Sequence, residues 1–517
     1  MTAAGADLPR TVEELAALGR VHLVGVGGAG MSVVAALLAA RGLAVSGSDG
    51  RDSAVVATLR AAGVDVHVGH HGAHVDGAGS VVVSTAIRES NPELARAREL
   101  GLPVLHRSVA LAALMAGRRG VAVAGAHGKT TTSAMVAVTL AHAGLDPSWA
   151  IGGTVLRDVP TPGSPVGAAQ AGAAVQAGAA APAGSPAGVG AAPEVGGARH
   201  GSGDVFVAEA DESDGSFLAY APHIAVVTNV EPDHLDHYGT REAFEQAFVA
   251  FARRIPADGW LVACTDDAGA ARLIASARAS GTQVRTYGTG ADADVRVGAW
   301  QAGPGAGGST TLTADGETVR LELAVPGVHN ALNAAAAWAV ARLLGVDAEV
   351  AARGLGTFVG TGRRFEDRGS AGGVRVVDDY AHHPTEVAAL LRAARPVAGG
   401  GRVLVLFQPH LYSRTRTFAD EFAAALALAD VVVVTDVYAA REDPDPSVTG
   451  ALLTDRVPAG VEATYVADRH EAARVVGRAA RPGDLVLTVG AGDVTELAPE
   501  VLAAVGSAPQ DPEATGR

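Results

Sequence analysis

Apolar and polar positions repeat in a regular pattern along the 517-residue chain. Short runs rich in β-branched residues recur at 21–26, 81–84, 121–124, 205–208, 225–228, 374–377, 403–407, 431–435 and 485–489. Ala/Leu-rich stretches of helical length follow them. Runs that are apolar at nearly every position, rather than at alternate ones, predict strands buried on both faces. The strand-then-helix alternation predicts an α/β fold of parallel sheets covered on both sides. The strands are too many for one ordinary sheet, so α/β units in series are expected. Breaks fall at Arg118-Arg119-Gly120 and in the Gly-rich stretch 354–362, giving domains over 1–118, 119–357 and 358–517.

Two tracts interrupt the pattern. Residues 161–203 are almost entirely Ala, Gly, Pro, Ser, Val and Gln, with only Glu194 and Arg199 charged. Such small side chains do not offset the entropy of ordering, so this tract reads as a disordered insertion. The shorter Gly-rich tract 303–308 reads as a hairpin loop.

Composition narrows the class. Forty basic against 55 acidic residues leave a net charge of −15, with no basic block, which argues against nucleic-acid binding. The single Cys264 permits neither an internal disulfide nor a thiolate zinc site. The N-terminal residues lack the basic and apolar regions of a signal peptide, and no strongly apolar run reaches about 20 residues. A soluble, cytoplasmic protein without membrane insertion is expected. Of the 40 basic residues 39 are Arg, and Lys129 is the one Lys.

That lysine lies in a phosphate-binding pattern. Gly125-Ala126-His127-Gly128-Lys129-Thr130-Thr131 follows a strand and opens a helix. It is a shortened P-loop, G-x-x-G-K-T: backbone amides hold phosphates, Lys reaches the β/γ oxygens, and the following hydroxyl binds Mg²⁺. The next strand leads into Glu209-Ala210-Asp211-Glu212-Ser213-Asp214, where an NTPase places a metal ligand or base. A further strand runs into the His/Asp-rich loop 229–237. Earlier in the chain, Gly25-Val26-Gly27-Gly28-Ala29-Gly30 fits G-x-G-x-x-G, with Met31 opening a helix and Asp49 about 20 residues on. The motif specifies a cradle for a diphosphate without saying which nucleotide carries it. NAD is one reading.

Eleven segments together resemble the Mur ligases, ATP-dependent amide-forming enzymes of peptidoglycan synthesis. They are GVGGAGM at 25–31, SGSD at 46–49, NPE at 91–93, GAHGKTTT at 125–132, EADESD at 209–214, TNVEPDHLDHY at 228–238, PGVHNALNA at 326–334, GRRFE at 362–366, DDYAHHPTEV at 378–387, FQPHLYSRTR at 407–416 and GAGDVT at 490–495. The resemblance is to the branch that joins L-alanine to UDP-N-acetylmuramate, with joining of a tripeptide as the alternative. It implies a Rossmann-like first domain, a P-loop ATPase domain and a Rossmann-like third domain that closes over ATP and binds the amino acid.

The resemblance also implies roles. Gly25, Gly27, Gly28, Ala29, Gly30, Met31 and Asp49 would hold the UDP-sugar rather than NAD. Gly125 to Thr131, His329, Asn330, Asn333 and Arg363 (or Arg364) would bind ATP. Thr130, Glu209 and His234 would hold Mg²⁺, with Mn²⁺ as a substitute. His382, His383, His410 and Arg414 would face L-alanine. Lys129, Glu209, His234 and Arg414 would be the catalytic set. Some relatives use a second, carbamylated Lys as a metal ligand, which a chain with one Lys does not have. Leu411 and Arg441 depart from the residues many relatives carry there. Monomer and homodimer both fit.

Overall fold

The computed structural model describes residues 8–157, 196–233, 235–303, 305–440 and 442–506. The expected α/β architecture is present. In the first unit five parallel strands lie in the order Asp65–Val68, Val45–Asp49, Val21–Val24, Ser80–Val83, Val104–His106. All four residues of Val21–Val24 are buried, as a central strand with helices on both faces requires. The helix Ala29–Ala40 buries Met31 through Leu38 without interruption.

The central sheet orders Ser148–Ala150, Val205–Glu209, Arg119–Ala124, Ile224–Val227, Trp260–Cys264, Gln283–Gly288 and Val295–Val297 as parallel neighbours. The antiparallel hairpin Gly308–Ala314/Glu317–Leu323 extends it. Gln301–Ala302 pairs antiparallel with Ser309 and Gly308, the pairing expected of strands on either side of a hairpin, with Gly308 itself in the strand and Pro304 outside the described residues. Arg119–Ala124 is flanked on both sides by strands that come later in the chain. The loop leaving its C-terminal end therefore opens into the crevice where parallel sheets bind ligands.

The third unit orders Glu366–Ala371, Val374–Asp379, Leu485–Val489, Val403–Phe407, Val431–Val434 and Glu462–Tyr465. Only Glu366–Ala371 is antiparallel to its neighbour. Separate apolar clusters cover its two faces. The first and central units instead share one continuous buried cluster, in which Leu111 and Leu114 join Phe217, Phe244 and Phe248.

Two boundaries differ from the sequence reading. Residues 196–203, at the end of the tract read as disordered, are built into the sheet. Ala198–Arg199 pairs antiparallel with Trp149 and Ala150, and Asp146 holds both Arg199 and Ser202. Strand pairing and this carboxylate supply what small side chains alone do not. Residues 161–195 lie outside the described residues. Phe358–Thr361, assigned above to the third domain, pairs with Val155–Arg157 of the central one.

Candidate active site

The first glycine loop follows Val21–Val24. The amide N–H groups of Gly25 and Val26 donate to the Ser48 carbonyl, and that of Gly27 donates to Asp49 Oδ2 at 2.9 Å. The loop and Asp49 are thus one unit, with Gly28 capping the helix Ala29–Ala40. At Gly30 a Cβ would stand 2.1 Å from Arg107 Nη1. Only Gly lets that guanidinium lie over the helix N-terminus, where anions bind. Arg107 was not singled out in the sequence. It opens its own helix some 77 residues later and reaches Asp211 of the central domain at 2.6 Å.

In the second loop Gly128 has φ +82° and caps the helix Lys129–His142. A Cβ there would lie 2.8 Å from Asn333 Oδ1, so both the conformation and the space call for Gly. Lys129 Nζ donates to the carbonyls of Gly125 (2.7 Å) and Ala126 (3.3 Å) and to Glu212 Oε1 at 2.8 Å. Glu212 is fully buried. Burial pushes its carboxyl up to about 7 against the pull of Lys129. Burial also opposes the charge on Lys129, but Glu212, Asp211 and Glu209 hold its pKa above the usual value. Lys129 is therefore charged and stored on groups it must leave to meet a phosphate. Glu212 lay inside the acid motif, but nothing in the spacing distinguished it from its neighbours.

Glu209 ends its strand 3.0 Å from Thr130 Oγ1, and its other oxygen accepts the Gly152 amide at 2.7 Å. A hydroxyl beside a carboxylate is the hard-oxygen donor set that Mg²⁺ prefers, so these two residues fit the expected metal. His234 lies outside the described residues.

A cleft of about 250 Å³ between the central and third domains is lined by Gly128, Thr131, His329, Asn330, Asn333 and Arg364. Asn330 donates to the Pro326 carbonyl (2.7 Å) and Asn333 donates to Asn330 (3.4 Å), which fixes both amides. Burial pushes His329 down to about 4, so its ring is neutral. The two arginines of GRRFE divide their work. Arg363 has φ +59° and is tied within the third domain to Asp378 and to the carbonyls of Gly490 and Gly492. Arg364 reaches the cleft, where it faces Glu386 at 3.5 Å and lies over the Tyr380 ring. Of the pair, Arg364 is better placed for a phosphate.

Beyond the P-loop a chamber of about 600 Å³ is lined from all three domains: by Ala29, by Lys129, Thr130 and Glu209, and by His382, His410, Leu411 and Arg414. His382 Nδ1 donates to the Tyr380 carbonyl at 3.1 Å, and burial pushes the ring down to about 3. It is neutral, with Nε2 unprotonated. Arg414 Nη2 donates to both oxygens of Asp233 (2.9 and 3.2 Å), with both side chains over 90 % buried. Arg414 Nη1 lies 3.5 Å from His410 Nδ1. The arginine expected to take the amino acid thus also joins the third domain to the central one. His383 is not in the chamber. Its ring lies against that of His127, tilted by 34° with centroids 4.6 Å apart.

His127 lies between two carboxylates, Glu231 (3.2 Å) and Glu386 of the third domain (3.4 Å). Burial works against its charge, but the carboxylates raise it to about 9. Glu231 is held at about 2, by His127 and Thr385 against burial. Among the described residues, no helix is long and apolar enough to cross a membrane.

Three family models match the chain: Mur ligase family, catalytic domain over residues 20–119; Mur ligase middle domain over 123–341; and Mur ligase, glutamate ligase domain over 363–492. The UDP-N-acetylmuramate--L-alanine ligase of Kineococcus radiotolerans is 58% identical over 496 residues, 95% of this chain and 97% of that one. That of Renibacterium salmoninarum is 55% identical over 500 residues, covering 96% and 98%. The solved UDP-N-acetylmuramate-alanine ligase of Thermotoga maritima superposes with a TM-score of 0.73 at 29% identity, covering 94% of this chain and 99% of that one. A murein peptide ligase from Psychrobacter arcticus shares the fold, with a TM-score of 0.64 at 23% identity over 95% and 100%.

Proposed function

The chain belongs to the Mur ligase family, and on that premise we propose that it joins L-alanine to the carboxylate of UDP-N-acetylmuramate at the expense of ATP. The observation that carries the reading is the chamber lined from three domains. Around one cavity lie Ala29 of the first glycine loop, Lys129 and Thr130 of the P-loop, and His382, His410 and Arg414. The tripeptide-joining alternative is not favoured, because the murein peptide ligase shares only the fold at 23% identity. The NAD reading leaves Lys129 and Glu209 without a role.

A carboxylate resists attack by an amine because its anionic oxygen is a poor leaving group. In the proposed sequence the muramate carboxylate attacks the γ-phosphorus of ATP. The bond to the bridging oxygen breaks, and ADP leaves from an acyl phosphate. The alanine amine then attacks the acyl carbon, loses a proton, and phosphate departs. The first step brings anionic groups together, so positioning and fixed positive charge must supply most of the catalysis. Lys129 leaves Glu212 for the β/γ oxygens, and the 125–131 amides hold the phosphates. Arg364 reaches them from the third domain. Thr130 and Glu209 would hold Mg²⁺, which when bound neutralises phosphate charge. The glycine loop at 25–30 holds the UDP diphosphate, with Arg107 above it. Arg414 receives the alanine carboxylate.

Phosphate release from ATP should require UDP-N-acetylmuramate and L-alanine together. Release that proceeds without the muramate substrate would refute the proposal.

A further inference from the structure

The wall between the nucleotide cleft and the chamber contains a set of groups that the ligase mechanism does not use together. His127 Nε2 and Glu231 Oε2 lie 3.2 Å apart. With a ring nitrogen of His383 they form a group whose ligating atoms all fall within 4.8 Å of one another. His383 is 3 % exposed, and neither of its ring nitrogens meets a hydrogen-bond partner. His127 Nε2 is also buried and faces the Glu231 carboxylate. Buried nitrogens left unmatched, as those of His383 are, cost stability unless a ligand engages them.

We propose that His127, Glu231 and His383 form a binding site for one transition-metal ion of the zinc class, shared between the central and third domains. Two imidazoles and a carboxylate suit Zn²⁺, Co²⁺ or Ni²⁺ rather than the oxygen-seeking Mg²⁺ expected at Thr130 and Glu209. Ligand atoms about 2.0–2.1 Å from a tetrahedral ion stand about 3.3 Å from each other, close to the 3.2 Å between His127 and Glu231. The outer groups match as well. His127 Nδ1 faces Glu386 Oε1 at 3.4 Å, and Glu231 Oε1 accepts the Thr385 hydroxyl at 2.7 Å. His127 and Glu231 thus each turn their other polar atom to a partner that fixes their orientation, as metal ligands do. Asp233 is engaged by Arg414, so water is the natural fourth ligand. The ion takes the place of the proton between His127 and Glu231. Because His127 adjoins Lys129 and His383 opens the first helix of the third domain, a bound ion ties the P-loop to that domain.

The test uses the full chain, stripped with chelator and held in excess Mg²⁺ to fill oxygen-only sites. Titration with Co²⁺ should give the visible absorption of a tetrahedral centre at one equivalent, and Zn²⁺ should displace it. His383→Ala and Glu231→Gln should each weaken zinc at least about 30-fold, while His383→Cys, which supplies a thiolate, should retain it. If His383→Ala fails to fold, Glu231→Gln and His127→Gln read the same site. No stoichiometric binding at about 100 μM Zn²⁺, or binding equal in wild type and variants, would overturn the proposal. The readout is metal binding, so it stands or falls separately from the ligase assignment.

Discussion

Replacing Lys129 removes an ammonium that makes three contacts of 2.7–3.3 Å and is the one lysine in the chain. Two substitutions separate its charge from its shape. Lys129→Met removes both the phosphate contact and the partner of Glu212. The folded protein tolerates this because Glu212, already pushed up to about 7 beside a lysine, takes a proton once the lysine is gone. The lost phosphate contact is a charge-assisted bond in a water-poor site, about 3–4 kcal/mol in the transition state, or roughly 10²–10³ in turnover. Lys129→Arg keeps the charge. Its planar fork is wider than an ammonium, however, and the space bounded by Gly125, Ala126 and Glu212 is matched to a point donor. Turnover should therefore fall at least about 10²-fold in this variant also. The assay is steady-state phosphate release at saturating substrates, with thermal melting to confirm folding. An arginine variant within fivefold of wild type would refute the argument, because the contact would then need only a positive charge.

Further outcomes follow from the same geometry. Asp233→Asn leaves the buried Arg414 guanidinium without its carboxylate, a loss of about 3–5 kcal/mol in the closed arrangement. The kcat/KM for L-alanine should drop at least 10²-fold, and a change below threefold would mean that the pair does not form in the working enzyme. Glu212 gives up its proton near 4.5 when unfolded and near 7 when folded. The folded state holds the extra proton between those values, so this group's contribution falls as pH rises through that window, by about 3 kcal/mol. Denaturant unfolding of Glu212→Gln should gain that much relative to wild type between pH 4.5 and 7, and a pH-independent difference would count against the buried carboxyl. Excising 161–195 and rejoining with a short linker should leave turnover within about twofold, because loop length costs little. Extending the cut to 203 removes the strand at Ala198–Arg199 and the Asp146 contacts, and should lower the melting temperature by several degrees.

The repeating apolar runs disclosed the parallel sheets because a central strand must be apolar on both faces, and Val21–Val24 and Val403–Phe407 are wholly buried. The glycine loops were legible for a similar reason, since a backbone that approaches phosphate leaves glycines at set spacing. Partnerships between residues far apart in the chain were not legible. Arg107 over Gly30, Asn333 against Gly128 and Glu386 beside His127 join residues 77 to 259 positions apart, and no local pattern records them. Glu212 was hidden among four acids because burial, not spacing, sets it apart. The choice between Arg363 and Arg364 turned on a left-handed backbone at Arg363 that its residue type does not announce. The ordered end of the insertion depends on a partner strand 50 residues earlier.

The central claim is tested most directly by product identity. The purified chain is given UDP-N-acetylmuramate, ATP and Mg²⁺ with L-alanine and the tripeptide in equal amounts, and the UDP-linked products are weighed by mass spectrometry. The account predicts UDP-N-acetylmuramoyl-L-alanine as the dominant product, with one ADP and one phosphate for each molecule formed. A dominant tripeptide adduct, or ATP consumed without any UDP-linked product, would contradict it.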